Sequence, residues 1–167
     1  REQDFSISNI KGSYAGAMGA PQFIASSYRN YAIDGNGDGK IDLFNSWDDV
    51  LMSIGNYLNR SGWDPTKDIM SKTNIDISLK EKLASKTIKP KSNIGDLVTI
   101  GVPLDSKLDQ TQKAQIIYLE GEQTKNSSIV GLHNFYVITT YNRNVMYALA
   151  VLELGESIEG ILSPDVF

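Results

Sequence analysis

Apolar residues recur at helical spacing in two segments of the first half of the chain. The first segment follows Pro21, a residue that suits the first turn of a helix, and predicts a helix over residues 21–33. The second segment predicts a helix over residues 47–61, with Ser46 as its N-cap and Gly62 as the residue that ends it. The polar, glycine-rich stretch between the two segments predicts a loop.

The second half of the chain mixes helical and extended patterns. Residues 63–78 have no clear period and are expected to be irregular, and residues 123–128 predict a turn. Residues 135–140 are β-branched and aromatic, so they predict a strand or an extended lead-in. The other predicted elements are short helices at 79–85 and 93–100, a strand at 114–120 and a long helix at 142–155. The chain as a whole is predicted to be a mainly helical α+β fold with a small β element.

Composition narrows the class of protein. The chain has 167 residues, which suffice for one domain, and no apolar run approaches the roughly 20 residues that cross a bilayer. A net charge of −4 without a basic stripe argues against nonspecific nucleic-acid binding. The absence of Cys excludes thiol catalysis, thiolate metal sites and disulfides. We therefore expect a single globular domain over residues 1–167 with no transmembrane segment and no nucleic-acid partner.

The Asp- and Gly-rich loop between the two predicted helices has the spacing of a divalent-cation site. Oxygen-bearing side chains occupy its first, third and fifth positions, which are Asp34, Asn36 and Asp38. This alternation brings oxygens to one point when the backbone coils round a hard cation, with Lys40 adding its backbone carbonyl. Asp42 at the ninth position would bind directly or through water. Because oxygen-only ligands favour Ca²⁺ over Zn²⁺, the loop predicts a structural calcium ion.

The closing ligand of this loop departs from the twelve-residue EF-hand pattern. Position twelve is Asn45 rather than a bidentate Glu, so the loop is expected to extend to a carboxylate in the first turn of the second helix. Asp49, which holds the capping-box position after Ser46, is favoured, and Asp48 is its rival. The predicted metal loop thus spans 34–49 and binds calcium with a Kd on the order of 10⁻⁵–10⁻³ M. The alternative is a solvated turn without metal.

Motifs spread over most of the chain resemble a known family. The first block comprises residues 11–19 (KGSYAGAMG), 21–23 (PQF) and 26–28 (SSY). Further matches lie in the segments 31–34, 54–58, 62–63, 134–136, 138–139, 141–142, 147–148 and 154–155. Residues 64–112 match weakly. Together these motifs are similar to those of the membrane-bound lytic transglycosylase B family, whose members cleave peptidoglycan.

The resemblance implies a fold, a substrate and a reaction. The fold would be lysozyme-like with an EF-hand-like calcium loop, and the substrate would be the glycan strands of peptidoglycan. The β-1,4 bond from N-acetylmuramic acid to N-acetylglucosamine would be broken without water, giving a 1,6-anhydro end. A single Glu would protonate the leaving oxygen and then act as base while the muramyl C6 hydroxyl attacks C1. The resemblance also implies a periplasmic location, with an outer-membrane anchor on an upstream lipidated segment.

Several residues match positions that line the glycan cleft in this family. They are Ser13, Met18, Gln22, Tyr57, Tyr141, Asn142 and Tyr147. The resemblance implies that Ser13 bonds the muramyl N-acetyl group or orients the acid, that Gln22 bonds sugar hydroxyls, and that the tyrosines stack on sugar faces. Plainer alternatives are a turn-capping role for Ser13, a solvated first helical turn for Gln22, and core packing for Met18, Tyr57 and Tyr147.

The catalytic Glu is the main departure from the family pattern. It is expected upstream of the block at residues 11–19, and Glu2 does not match its motif. We therefore expect this chain to be the C-terminal part of a catalytic domain, inactive alone, with the missing N-terminal part of the same protein as its partner. The alternatives are a non-catalytic, calcium-stabilised peptidoglycan-binding module and, more weakly, a dockerin-like assembly module.

Overall fold

The chain divides into two compact units, Arg1–Trp63 and Asp64–Phe167. The computed structural model describes residues 12–75, 79, 83, 87–119 and 128–162. The expectation of one domain over residues 1–167 stays a prediction. No helix in the described part of the chain combines the length and the apolar character needed to cross a bilayer.

The first unit contains helices α1 (Ala25–Tyr31) and α2 (Trp47–Arg60). Residues 34–42 lie between them in sequence and are called the acidic loop below. The prediction for α2 is confirmed at both ends. Ser46 Oγ accepts a hydrogen bond from the backbone N–H of Asp49 at 3.4 Å. Gly62 has a φ of 97°, a left-handed conformation that side chains disfavour, so it ends the helix as expected.

The start of α1 was predicted wrongly, because the helix expected over residues 21–33 begins only at Ala25. The residues before it form a turn in which Gln22 adopts a φ of 53°. Phe23 and Met18 pair through their backbones, with N–H to carbonyl distances of 3.1 and 2.8 Å. This bridge between residues five positions apart uses the backbone groups of Phe23 that an earlier helix start would need, so it overrides the helical spacing of the sequence.

An antiparallel sheet forms the centre of the second unit. Its strands in the described residues are β1 (Met70–Thr73), β2 (Ser92–Asn93), β3 (Lys113–Tyr118) and β4 (Ser128–Gly131), in the spatial order β1-β4-β3-β2. β3 confirms the strand predicted at 114–120. β1 corrects the expectation that residues 63–78 are irregular, since a short edge strand of mixed polarity leaves little alternation to detect.

One face of the sheet packs on the hydrophobic core of the second unit. Ile116 and Val130 from neighbouring strands are buried there beside Leu97 of α3 (Ile94–Thr99), which confirms the helix predicted at 93–100. Side chains alternate along a strand, so the neighbours of Ile116 along β3 and of Val130 along β4 point to the other face of the sheet. The predictions at 79–85 and 123–128 fall largely outside the described residues.

Two helices, α4 (His133–Tyr141) and α5 (Val145–Leu162), follow the sheet. The strand or extended segment expected at 135–140 is wrong, because these residues form α4. Five of the nine residues of α4 are buried, and a helix buried on most sides loses the one-sided apolar stripe that identifies it in a sequence. The helix expected at 142–155 begins later, since Asn144 Oδ1 caps its first turn by accepting a hydrogen bond from the Met146 N–H at 2.8 Å.

A fully buried amide ties the beginning of the second unit to α4. Asn134 Nδ2 donates hydrogen bonds to the carbonyl oxygens of Asp64 at 2.7 Å and Lys67 at 2.8 Å, and its Oδ1 accepts one from the Asp64 N–H at 3.0 Å. These three bonds satisfy backbone groups that no strand or helix pairs. Asn134 therefore fixes residues 64–67 against the helix.

We expect Asn134→Ala to lower the free energy of unfolding by about 3 kcal/mol, because it removes three buried hydrogen bonds to the backbone. Urea denaturation of the 167-residue chain followed by circular dichroism measures this loss. Asn142→Ala is the matched control, since Asn142 is exposed and its substitution should change stability by less than about 0.5 kcal/mol. Equal stabilities of the two variants would contradict the assignment.

Candidate functional site

The glycine-rich segment folds into a tight turn that displays Ser13. The Ser13 Oγ accepts a hydrogen bond from the Ala17 N–H at 3.1 Å, and the Ser13 N–H donates to the Ala17 carbonyl at 2.9 Å. These bonds match the turn-capping alternative for Ser13. The side chain is exposed, so its hydroxyl can still donate a hydrogen bond to a ligand.

The turn packs against the backbone just beyond the acidic loop. The Ala20 N–H donates a hydrogen bond to the Leu43 carbonyl at 2.9 Å. A Cβ atom at Gly19 would lie 2.4 Å from the same carbonyl oxygen, and Gly19 has a φ of 66°. Only glycine allows this close approach of backbone to backbone.

Gln22 lies in a strained conformation. Its φ of 53° makes it the one non-glycine residue with positive φ in the described part of the chain. This backbone region costs an L-residue roughly 1–2 kcal/mol. The side chain is exposed, and its Nε2 donates to the Gly19 carbonyl at 2.9 Å. Gln22 precedes α1, so its place in a first helical turn, the plainer alternative, is excluded.

Tyr57 packs beside the same turn. Its ring centroid lies 6.0 Å from that of Phe23 and 4.7 Å from that of Tyr31, the latter in an edge-on arrangement. Tyr57 and Met18 are both half-buried, and Met18 is the backbone partner of Phe23. The first unit therefore brings Met18, Gln22 and Tyr57 together around Phe23, and packing accounts for part of the role of Tyr57.

The other three predicted cleft residues lie where α4 meets α5 in the second unit. Tyr141 is the last residue of α4 and is half-buried, and Asn142 follows it and is exposed. Tyr147 lies in the first turn of α5 with 36% of its surface exposed. The seven predicted residues thus form two sets, one in each unit.

The side chains of the acidic loop bind its own backbone. Asp34 accepts hydrogen bonds from three backbone N–H groups further along the loop, the shortest at 2.6 Å. Asn36 accepts one from the Asp38 N–H at 2.9 Å, and Asp38 accepts one from the Lys40 N–H at 2.9 Å. Among the described residues, no group of three or more His, Cys, Asp or Glu side chains is arranged to hold a metal ion.

Asp49 closes the loop from the first turn of α2. Its side chain is only 1% exposed, with Oδ1 accepting from the Gly35 N–H at 2.8 Å and Oδ2 from the Asp42 N–H at 2.7 Å. Burial raises the pKa of Asp49, but the backbone N–H donors lower it by more, so it lies below its usual range. Asp48, the rival closing residue, is exposed.

Two further groups line the inner side of the loop. The amide of Asn45 donates to the Asp42 carboxylate and, with backbone donors, holds the pKa of Asp42 below its ordinary value despite partial burial. The Tyr28 hydroxyl donates to the Ile41 carbonyl at 2.9 Å. Burial raises the pKa of Tyr28, and the nearby charges of Asp42 and Asp49 raise it further. Tyr28 therefore stays a neutral donor that anchors α1 to the loop.

Sequence reasoning missed a polar stripe on the inner face of α2. Besides Asp49, the stripe contains Ser53, which accepts from the Ile33 N–H at 3.0 Å, and Asn56, which donates to the Tyr31 carbonyl at 2.8 Å. These residues are spaced by four and three positions, so they share one helix face. That spacing was a usable signal, but the apolar stripe beside it was the stronger one.

Comparison with known proteins places these features in a family. The profile of the transglycosylase SLT domain matches residues 1–156. Membrane-bound lytic murein transglycosylase B of Escherichia coli K12 is 37% identical over 159 residues, which are 94% of this chain and 42% of that protein. This chain therefore spans less than half the length of that relative.

Three solved structures share the fold. Soluble lytic transglycosylase SltB1 of Pseudomonas aeruginosa matches with a TM-score of 0.86 at 37% identity, over 95% of this chain and 52% of that one. P. aeruginosa SltB3 in complex with NAG-anhNAM-pentapeptide matches with a TM-score of 0.80 at 36% identity, over 95% of this chain and 43% of that one. E. coli Slt35 in complex with calcium matches with a TM-score of 0.78 at 35% identity, over 90% of this chain and 46% of that one.

These matches confirm the resemblance found in the sequence motifs. They also confirm a lysozyme-like lytic transglycosylase fold with helices and a small antiparallel sheet. The chain belongs to the transglycosylase SLT domain family.

Proposed function

We propose that this chain forms part of a peptidoglycan lytic transglycosylase and binds the glycan strand. The observation that carries the proposal is the 37% identity over 159 residues to a lytic murein transglycosylase. The geometry agrees with the proposal, because the glycine-rich turn presents the exposed side-chain amide of Gln22 from a strained backbone. Strained backbone is retained chiefly where function requires it.

The proposed reaction cleaves the β-1,4 bond from N-acetylmuramic acid to N-acetylglucosamine without water. A glutamate outside residues 1–167 protonates the leaving oxygen of N-acetylglucosamine. The same carboxylate then accepts the proton of the muramyl C6 hydroxyl as that oxygen bonds to C1, leaving a 1,6-anhydro end. One carboxyl can serve as acid and then as base because the intramolecular hydroxyl replaces water.

The residues of this chain have positioning roles in the proposal. Ser13 and Gln22 hydrogen-bond the sugar, since a hydroxyl and an amide can each meet the donors and acceptors of a glycan. Met18 and Tyr57 form an apolar wall beside them. In the second unit, Tyr141, Asn142 and Tyr147 offer aromatic faces and polar ends that can contact a glycan.

The acidic loop is proposed to hold a structural calcium ion. Its ligands would be the side-chain oxygens of Asp34, Asn36, Asp38 and Asp49 and the backbone carbonyl of Lys40. The donor set fits calcium, since it contains oxygen alone, and a carboxylate oxygen that accepts one N–H bond has a second lone pair. The burial of Asp49 at the loop favours it over the exposed Asp48. The Slt35 structure in complex with calcium agrees with this proposal.

We also propose a periplasmic location, with an outer-membrane anchor on an upstream lipidated segment. The proposed substrate and the membrane-bound relative support a place in the cell envelope. The second candidate function is a calcium-stabilised peptidoglycan-binding module without catalysis. The observation that favours it is that the described residues include exposed polar and aromatic side chains, such as Gln22 and Tyr147, which can contact a glycan.

Digestion of purified sacculi tests the proposed reaction. The protein that carries this chain should release muropeptides with 1,6-anhydromuramic acid ends, detected by liquid chromatography and mass spectrometry, and the 167-residue chain alone should release none. Muropeptides with reducing ends would contradict the non-hydrolytic reaction. Binding to sacculi without any product would favour the binding module instead.

Gln22→Gly separates a binding role from a structural one. Glycine relieves the strain at φ 53° but removes the amide, so we expect the free energy of unfolding to change by less than about 1 kcal/mol while sacculus binding weakens at least fivefold. Cosedimentation with sacculi measures binding, and thermal unfolding measures stability. Unchanged binding would remove Gln22 from the proposed cleft. Arg29→Gln, an exposed substitution on α1, is the control and should alter neither quantity.

Calcium should stabilise the first unit through Asp49. At about 100 times its Kd the ion should add about 2.7 kcal/mol to the free energy of unfolding, and EDTA should remove that increment. Asp49→Asn should abolish it, because an amide cannot accept hydrogen bonds on both of its ends. Asp48→Asn, the matched control, should retain it. Calcium-independent melting of the unsubstituted chain, measured by differential scanning calorimetry, would rule out the metal site.

A further inference from the structure

The acidic loop contains the one asparagine-glycine pair of the sequence, Asn36 followed by Gly37, and both residues are exposed. The backbone nitrogen that follows an asparagine can attack the side-chain carbonyl carbon of that asparagine and close a succinimide ring. Glycine favours this attack, because it has no side chain beside its nitrogen and adopts backbone conformations that other residues avoid. The pair therefore places a nucleophile next to an electrophile.

The nitrogen of Gly37 lies beside a proton acceptor. Its N–H donates a hydrogen bond to Asp34 Oδ1 at 2.6 Å, which is short for a nitrogen donor. A carboxylate at this distance can accept the proton while the nitrogen forms a new bond, so Asp34 is placed as a general base. Gly37 has a φ of 78°, and a Cβ atom built on it would meet nothing within 4 Å. The backbone of Gly37 therefore has room to move toward the side chain of Asn36.

The side-chain amide of Asn36 is held in a way that favours attack on its carbon. Asn36 Oδ1 accepts a hydrogen bond from the Asp38 N–H at 2.9 Å, so a donor is in place for the negative charge that develops on this oxygen. The same bond folds the side chain back over the backbone of residues 36–38. Asn36 Nδ2 lies 3.5 Å both from Asp38 Oδ2 and from Ser46 Oγ. These contacts are long, so they hold the leaving nitrogen weakly.

We propose that Asn36 undergoes deamidation in the folded chain, promoted by the carboxylate of Asp34 and the backbone N–H of Asp38. The Gly37 nitrogen bonds to Cγ of Asn36, and its proton passes to Asp34. The side-chain nitrogen takes up this proton and leaves as ammonia as its bond to Cγ breaks. Water then opens the succinimide. Its addition at Cγ gives aspartate at position 36, and its addition at the backbone carbonyl carbon gives isoaspartate.

The two products change the acidic loop in different ways. Aspartate adds one negative charge and keeps an oxygen that can accept the Asp38 N–H. Isoaspartate adds one methylene group to the main chain, so it displaces the N–H groups of Gly37, Asp38 and Gly39 that bind Asp34. The modification alters the loop that is proposed to hold calcium, but the inference depends neither on the metal nor on the proposed function.

Two other exposed asparagines lack this arrangement and serve as internal references. The amide of Asn45 donates to Asp42 Oδ2 at 2.9 Å, and the N–H of the next residue, Ser46, donates to the Asp42 carbonyl at 3.1 Å. Asn142 is followed by Arg143, which has a side chain where Gly37 has none. Attack by the following nitrogen should therefore be slower at both positions.

Peptide mapping of the 167-residue chain after incubation at neutral pH in EDTA tests the inference. Mass spectrometry detects the change from an amide to a carboxylic acid, and enzymatic methylation detects isoaspartate. We expect Asn36 to convert at least tenfold faster than Asn45 or Asn142. We also expect it to convert at least twofold faster in the folded chain than in a synthetic peptide of residues 30–44, because the peptide lacks Asp49, which fixes the loop.

Substitutions separate the roles of the nucleophile and the base. Gly37→Ala should slow conversion at least tenfold, since its methyl group stands beside the attacking nitrogen. Asp34→Ser keeps an oxygen acceptor but removes the carboxylate, and it should slow conversion at least twofold. Asp48→Ser, the matched control, should leave the rate within 1.5-fold. Slower conversion in the folded chain than in the peptide would overturn the inference, and so would an unchanged or faster rate in Asp34→Ser.

Discussion

The first unit depends on the buried carboxylate of Asp49. Burial of an ionised carboxylate is costly unless hydrogen bonds replace the lost water, and both of its oxygens accept backbone N–H bonds, from Gly35 and from Asp42. These two donors lie seven residues apart, near the beginning and end of the acidic loop. One side chain therefore fixes the loop against the first turn of α2 and keeps its own charge, since the same donors lower its pKa.

This constraint extends from the loop to the glycine-rich turn. The Leu43 carbonyl, just beyond the loop, accepts the Ala20 N–H, and Gly19 is pressed against the same carbonyl. Gln22 adopts its strained backbone conformation in this turn, which the contacts with Leu43 anchor to the rest of the unit. Gln22 is thus held by the Met18–Phe23 pair and the Gly19 carbonyl within the turn and by the bond of Ala20 to Leu43 outside it. Such surrounding contacts allow a fold to present a polar side chain in a conformation that local preferences disfavour.

The elements predicted correctly are those with local signals. Ser46 and Gly62 delimit α2 because a cap bond and a left-handed turn act within a few residues. The choice of Asp49 over Asp48 also came from local cap spacing, and the structure gives Asp49 the buried position. The start of α1 could not be predicted in this way, since it depends on the pairing of Met18 with Phe23.

Burial on several sides hid other features from sequence reasoning. The residues of α4 looked extended because its apolar positions surround the helix, and the polar stripe of Ser53 and Asn56 was masked by the apolar stripe beside it. A cavity lined by Lys72, Ile129 and Glu153, among others, depends on strand register, which short, distant strands do not reveal. Lys72 and Glu153 are 81 positions apart, and the fold alone brings them to one cavity.

Hydrogen exchange at the Ala20 amide tests the central claim most directly. If the Asp49 carboxylate holds the loop and the loop holds the turn, Asp49→Asn should speed exchange at Gly35 and Asp42 and also at Ala20, which Asp49 does not contact. Asp48→Asn should change none of the three. Unaltered protection of Ala20 in Asp49→Asn, with faster exchange at Gly35 and Asp42, would contradict the coupling between loop and turn.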